Sequence, residues 1–133
     1  MSFIQLTGLA DVQEAKTAPE GRYDLVITSA SLKDSKGEDG GQNVLVLLEI
    51  ENQDVKYANI FHYLALPRGK DKDKDVMMLL MIKRFFTQFG IPFDEGFDME
   101  ALVGSRAACN VKVGEFNDQP KNELVLDRLP SED

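Results

Sequence analysis

One stretch limits the possible folds more than any other: residues 75–92, which read as a helix with a start, a body and an end. Asp75 is the expected cap, because a carboxylate there accepts from the first free N–H groups. Met78, Ile82, Phe85 and Phe89 recur at helical spacing, and Leu79 and Phe86 widen the stripe. Lys83, Arg84, Thr87 and Gln88 lie on the other side. Gly90 suits a left-handed C-terminal residue and Pro92 stops the helix. Every other long segment reads as strand. A single helix late in a β chain, with more strand after it, is the main clue to the fold.

The strands follow from alternation and turn chemistry. Pro19-Glu20-Gly21 opens the domain after an arm, Met1–Ala18, in which Phe3, Ile4, Leu6 and Leu9 keep no period and only one short ordered piece is expected. Arg22–Leu32 alternates, with Tyr23, Leu25 and Ile27 on one face and Val26, Thr28 and Ala30 on the other. A charged Gly-rich loop, Lys33–Asn43, leads to Val44–Glu51, whose first half is apolar on both faces, as in a barrel wall covered outside. After a turn at Asn52–Asp54 comes Lys56–Leu66, with Tyr57, Phe61 and Tyr63 on one face and Ala58, Ile60, His62 and Leu64 on the other. Beyond the helix, 98–103 suggests a single helical turn. Arg106–Val113 reads as a strand with Ala107, Cys109, Val111 and Val113 inward, Asn117-Asp118 as a hairpin turn, and Leu124–Leu129 as the last strand. Three strands, a helix and two strands is the order of an OB-fold, a mainly β five-stranded Greek-key barrel with one helix between strands three and four; a split barrel or a sandwich could share this order. The domain spans residues 19–129, and 130–133 form a short acidic tail.

The totals set outer bounds. A chain of 133 residues forms one domain with a real core. Val76–Ile82 is too short to span a bilayer and is followed by Lys83-Arg84, so no membrane partner is expected. No basic segment precedes an apolar core at the N-terminus, and one cysteine forms no internal disulfide. A cytoplasmic protein is expected, in the host cell if the chain is viral. The net charge of −8 excludes a surface coated in positive charge but not a local basic groove.

Catalytic chemistry has no positive support. His62 and Cys109 are the only histidine and cysteine, too few for a Cys/His zinc site, and both fall at strand positions that suit a core role. Asp71, Asp73 and Asp75 alternate like the start of a calcium loop, but Val76 stands where glycine is required and no closing Glu follows. No phosphate-binding loop exists, and no cofactor is expected. Binding fares better. Arg22, Lys33 and Lys36 surround the first hairpin, Lys56 and Arg68 flank strand three, and Lys70 and Lys72 continue the series, with Lys112 on strand four. They are interleaved with Tyr57, Phe61, Tyr63 and Phe116. Charge to hold phosphates and rings to stack exposed bases are what single-stranded nucleic acid needs, and the strand two–three face with the first and last hairpin loops is the usual OB-fold surface. Against this stand the ordinary core role of strand aromatics and the aspartates between Lys70, Lys72 and Lys74. A protein-interaction module on the same barrel, without nucleic acid, is the competing reading, and the acidic balance favours it.

Several local patterns together resemble phage-encoded single-stranded-DNA-binding proteins of OB type. They are Pro19-Glu20-Gly21-x-Tyr23, the apolar strand ending in Glu49, the helix end Phe89-Gly90-Ile91-Pro92 with acidic residues after it, and Leu102-Val103-Gly104 before a strand. The likeness covers about residues 17–127. It implies an OB-fold, sequence-tolerant binding of single-stranded DNA in phage replication or recombination, and no catalysis. Such proteins often carry a longer acidic tail that recruits replication partners; here only Ser131-Glu132-Asp133 follow Pro130, which puts that recruitment in doubt.

One feature remains. Val76, Met77, Leu80 and Met81 point away from the helix face that seals the barrel, where a surface helix should be polar. Either the N-terminal arm covers them or the same helix of a second subunit does, giving a homodimer, and the methionines favour the second.

Overall fold

The structure is a computed structural model, and it describes residues 2–12, 15–35 and 40–130. Five strands form one antiparallel sheet: β1 (Gly21–Asp34), β2 (Gln42–Glu51), β3 (Ile60–Ala65), β4 (Arg106–Phe116) and β5 (Gln119–Val125). Helix α1 (Lys72–Phe89) lies between β3 and β4 in the chain, and short 3₁₀ turns occupy Leu9–Asp11 and Met99–Ala101. The strand order is β3-β2-β1-β4-β5, so β1 pairs with both β2 and β4. With the helix packed on β3 and β4, this is the arrangement of an OB-like fold.

The edges of the sheet, β3 and β5, approach each other without a shared ladder. The seam between them is bridged by residues 16–18. Lys16 makes a parallel bridge to Tyr57, and Ala58 N–H donates to the Lys16 carbonyl at 2.9 Å. On the other side, buried Asn122 of β5 accepts from Ala18 N–H at 2.8 Å and donates to the Ala18 carbonyl at 2.9 Å. The end of the expected arm is therefore part of the barrel.

The core forms as alternation requires. Val44, Val46, Leu48 and Ile50 point inward from β2, and meet Leu25, Ile27, Ile60, Leu64, Cys109 and Val111. The helix stripe Ile82, Phe85, Phe86 and Phe89 seals the barrel, with Phe85 stacked on Phe89 at 4.6 Å between centroids. Gly90 ends the helix at φ 66, and Ile91 N–H returns to the Phe86 carbonyl at 2.9 Å.

Several expected boundaries are corrected. The helix cap lies four residues earlier than expected, at Asp71: its backbone is extended and its Oδ1 accepts from Asp73 and Lys74 N–H. Asp75 is turned back instead, accepting from Arg68 and Gly69 N–H at 2.9 Å each, and so pins the preceding loop. A bulge in β1 between Ile27 and Ser29 shifts the pairing, so Ala30 joins Val46 on the inward face rather than sharing Val26's face. Strand β3 starts at Ile60, not Lys56, because residues 56–59 leave β2 and meet the N-terminal segment. The last hairpin is longer than expected and its second strand earlier. Asn117 and Asp118 both have positive φ, the two-residue type I′ geometry, so pairing runs right up to the turn and ends at Val125. Val113, expected inward, is partly exposed on this hairpin.

Candidate nucleic-acid interface

The register of β2 and β3 makes an aromatic outer face. Tyr63 pairs with Leu45 and Phe61 with Leu47, so each ring stands beside a leucine on the side opposite the core. Phe61 is 59% and Tyr63 57% exposed. Across the seam, Phe116 at the tip of the β4–β5 hairpin is 63% exposed. Exposed hydrophobic side chains gathered on one surface are the kind of patch that marks a contact site.

These three rings share one groove of about 410 Å³. Thr17, Ala58, Asn59 and Asn122 also line it, so the groove lies over the barrel seam that Ala58 and Asn122 help to close. Tyr63 also borders a second hollow of about 380 Å³ lined by Lys33, Asp34, Ser35, Asn43 and Leu45, so an acid stands beside its one cation. Tyr63 thus links the hollows, and the surface runs from the β1–β2 loop across β3 to the β4–β5 turn.

The cations are distributed unevenly around it. Lys33 lines the second hollow from the end of β1. Lys121 lines the main groove, with Nζ 5.3 Å from the Phe116 ring centroid and 3.8 Å from Glu123. Lys112, on the outer face of β4, lies 3.6 Å from the same Glu123 carboxylate. Lys56 is exposed beside Tyr57. Lys121 escaped the sequence reading, although the Asn117-Asp118 turn carries the signal: it pairs Phe116 with Gln119, which puts Lys121 two residues on along the same face.

Other residues read as site candidates do different work. Tyr57 is half-buried and packs edge-on against Tyr23 at 6.2 Å, so it belongs with the core. Arg22 forks onto Asp127 at 3.0 and 3.3 Å; that contact raises the guanidinium pKa and holds the Asp127 carboxyl below its usual range. Arg68 donates to the carbonyls of Gln42 and Leu66 at 2.7 Å each and to Asn43 Oδ1 at 3.0 Å. It knits the β1–β2 loop, β3 and the helix entry together, and Gly41 at φ 81 leaves it room: a Cβ there would sit 2.5 Å from Arg68 Cδ. Lys70 borders a small separate hollow with Asp71, Lys74 and Asp75. Lys72 opens the helix, next to Asp71 and Asp73. Lys36 lies outside the described residues.

His62 faces inward and stacks on Phe85 at 5.2 Å with the rings nearly parallel. Burial lowers its pKa to about 4, so it is neutral at physiological pH. Cys109 is buried, and desolvation, followed by the Asp127 charge, pushes its thiol up to about 11. Among the described residues no three His, Cys, Asp or Glu side chains gather as metal ligands would, and no helix is long and apolar enough to cross a membrane.

The outward face of α1 carries exposed apolar side chains. Val76 and Met77 are each 55% exposed, Met81 is 39% exposed and Leu80 is half-buried. Phe3, Ile4, Leu6 and Leu9 of the arm are themselves exposed and do not serve as its cover here. No protein-family model and no curated protein matches this chain, so the reading of its surfaces rests on their geometry.

Proposed function

We propose that this protein binds single-stranded DNA without strong sequence preference, as a non-catalytic component of phage replication or recombination in the host cytoplasm. The observation that carries the reading is the convergence of Phe61, Tyr63 and Phe116, all more than half exposed, on one groove. Three rings at the rim of a groove suit a strand whose bases are free to stack, and a ring accepts any base. Lys33, Lys112 and Lys121 are within the same surface or beside it and supply phosphate contacts.

The test is fluorescence anisotropy with a labelled oligo-dT, a mixed-sequence single strand and a duplex of equal length. Both single strands should bind alike and the duplex more weakly. Alanine at Phe61, Tyr63 or Phe116 should each cost about 1–3 kcal/mol of binding and leave the melting temperature nearly unchanged. Equal affinity for duplex and single strand, or three ring variants that all bind as wild type, would overturn the reading.

A further inference from the structure

The outward face of α1 is self-complementary. Asp73, Met77, Leu80 and Arg84 are spaced by four, three and four residues, which puts them in one stripe opposite the buried Ile82, Phe85, Phe86 and Phe89. Val76 and Met81 flank it. The stripe has an acid near its N-terminal end, apolar side chains in the middle and a base near its C-terminal end.

We propose that this face pairs with the same face of a second copy of the chain, antiparallel, about a two-fold axis passing between Met77 and Leu80. In that register Met77 of one copy meets Leu80 of the other, while Val76 and Met81 flank opposite sides of the contact, each on the same side as its own symmetry mate. Asp73 of each copy then meets Arg84 of the other, giving two equivalent ion pairs that bracket an apolar centre. A parallel arrangement in register would set Asp73 against Asp73 and Arg84 against Arg84, so the charges select the antiparallel one. The Arg84 guanidinium leans along the stripe, with Nη1 3.5 Å from Met81 Sδ. Methionine suits the centre of such a contact, because its unbranched chain adapts to its neighbour. None of these residues lines the aromatic groove, so the paired protein would present two grooves.

Sedimentation velocity between 1 and 100 µM tests the pairing. The wild-type chain should sediment as a dimer in the upper part of that range, and Leu80→Glu as a monomer at every concentration. Asp73→Arg alone and Arg84→Asp alone should each weaken the dimer roughly tenfold, since each creates two like-charge contacts. The double swap, Asp73→Arg with Arg84→Asp, should restore the wild-type constant to within about threefold. Melting curves of all variants show whether the fold survives, and the double swap carries both substitutions, so its recovery rules out misfolding. A wild-type monomer at 100 µM overturns the proposal, and so does a double swap no better than either single one. The outcome is independent of the DNA reading, because binding of oligo-dT per protomer should be the same in Leu80→Glu as in wild type.

Discussion

Replacing Asn122 by alanine removes a buried side chain that holds the N-terminal segment in the barrel seam. The amide is buried and makes hydrogen bonds of 2.8 and 2.9 Å with the N–H and carbonyl of Ala18, and a longer one of 3.4 Å to the Lys112 carbonyl. Ala18 itself is fully buried, so truncation orphans two backbone groups that water reaches only if the seam opens. Leaving a buried donor or acceptor unpaired costs about 1–3 kcal/mol, and partial opening recovers some of it, so a net loss near 3 kcal/mol is expected. At about 2.1 cal/mol/K per residue, the unfolding entropy of a 133-residue chain is roughly 280 cal/mol/K, so that loss lowers the melting temperature by about 11 °C. Circular dichroism melts give the shift. Hydrogen exchange gives the location, since Ala18 N–H and Ala58 N–H, which donates to the Lys16 carbonyl, should lose protection before the rest of the sheet. A melting temperature within 2 °C of wild type, or protection unchanged at both amides, would refute the reasoning that this segment is a bonded part of the barrel.

Three further outcomes follow from the same contacts. Arg68→Ala should destabilise by about 2–4 kcal/mol, because three hydrogen-bond acceptors lose a charged donor, while oligo-dT affinity of the folded fraction stays near wild type; a fall in binding without a fall in stability would return Arg68 to the interface. His62 has a folded-state pKa of about 4 against an ordinary 6.5, so the unfolded chain binds the extra proton between those values, and stability should be full above pH 6.5 and decline toward pH 4 by on the order of 3 kcal/mol; chemical denaturation against pH should show that loss in wild type and a flatter profile in His62→Leu. The Cys109 thiol, buried and raised to about 11, should react with a thiol reagent at pH 8 only at the rate of unfolding, and rapid modification of the native protein would show that the site is open.

What the sequence makes legible here is local. The C-terminal stop of the helix is written in Gly90 and Pro92, and the later part of its buried stripe in the spacing of Ile82, Phe85, Phe86 and Phe89, because both depend on neighbours within a turn or two; Met78 and Leu79, expected on the same stripe, are half-buried and exposed respectively. The strand order is readable for the same reason: each strand carries its own alternation, and β1–β2 and β4–β5 are hairpins. Which of three alternating aspartates caps the helix is not readable, because Asp75 is diverted by a loop whose path depends on Arg68. The bulge at Thr28 is silent, since one extra residue changes no composition. Residues 16–18 read as arm because their partners, Tyr57 and Asn122, are far along the chain. The same distance hides the true employment of Arg22, whose carboxylate is 105 residues away, and of Tyr57, whose ring finds Tyr23. Phe61 and Tyr63 were readable as a pair on one face, but only the tertiary fold separates them from Tyr57 and sets Phe116 across from them.

That redistribution changes how the proposed interface would work. The sequence offers a long basic series, and a site built from it would bind mainly by displacing counterions, with affinity falling steeply in salt. Arg22 and Arg68 are engaged within the protein, and Lys112 and Lys121 both share Glu123, so few positive charges remain for phosphates near the rings. Three phosphate contacts on a single strand give a slope of log affinity against log salt of about −2, a loss of roughly 15-fold between 50 and 200 mM. Three stacked bases at about 1–3 kcal/mol each outweigh that contribution. A chain of net charge −8 benefits from this balance, because its overall field repels a polyanion and only short-range contacts compensate. Stacking needs bases that are not already paired, so the proposed interface would disfavour duplex chiefly because its bases are hidden from the rings.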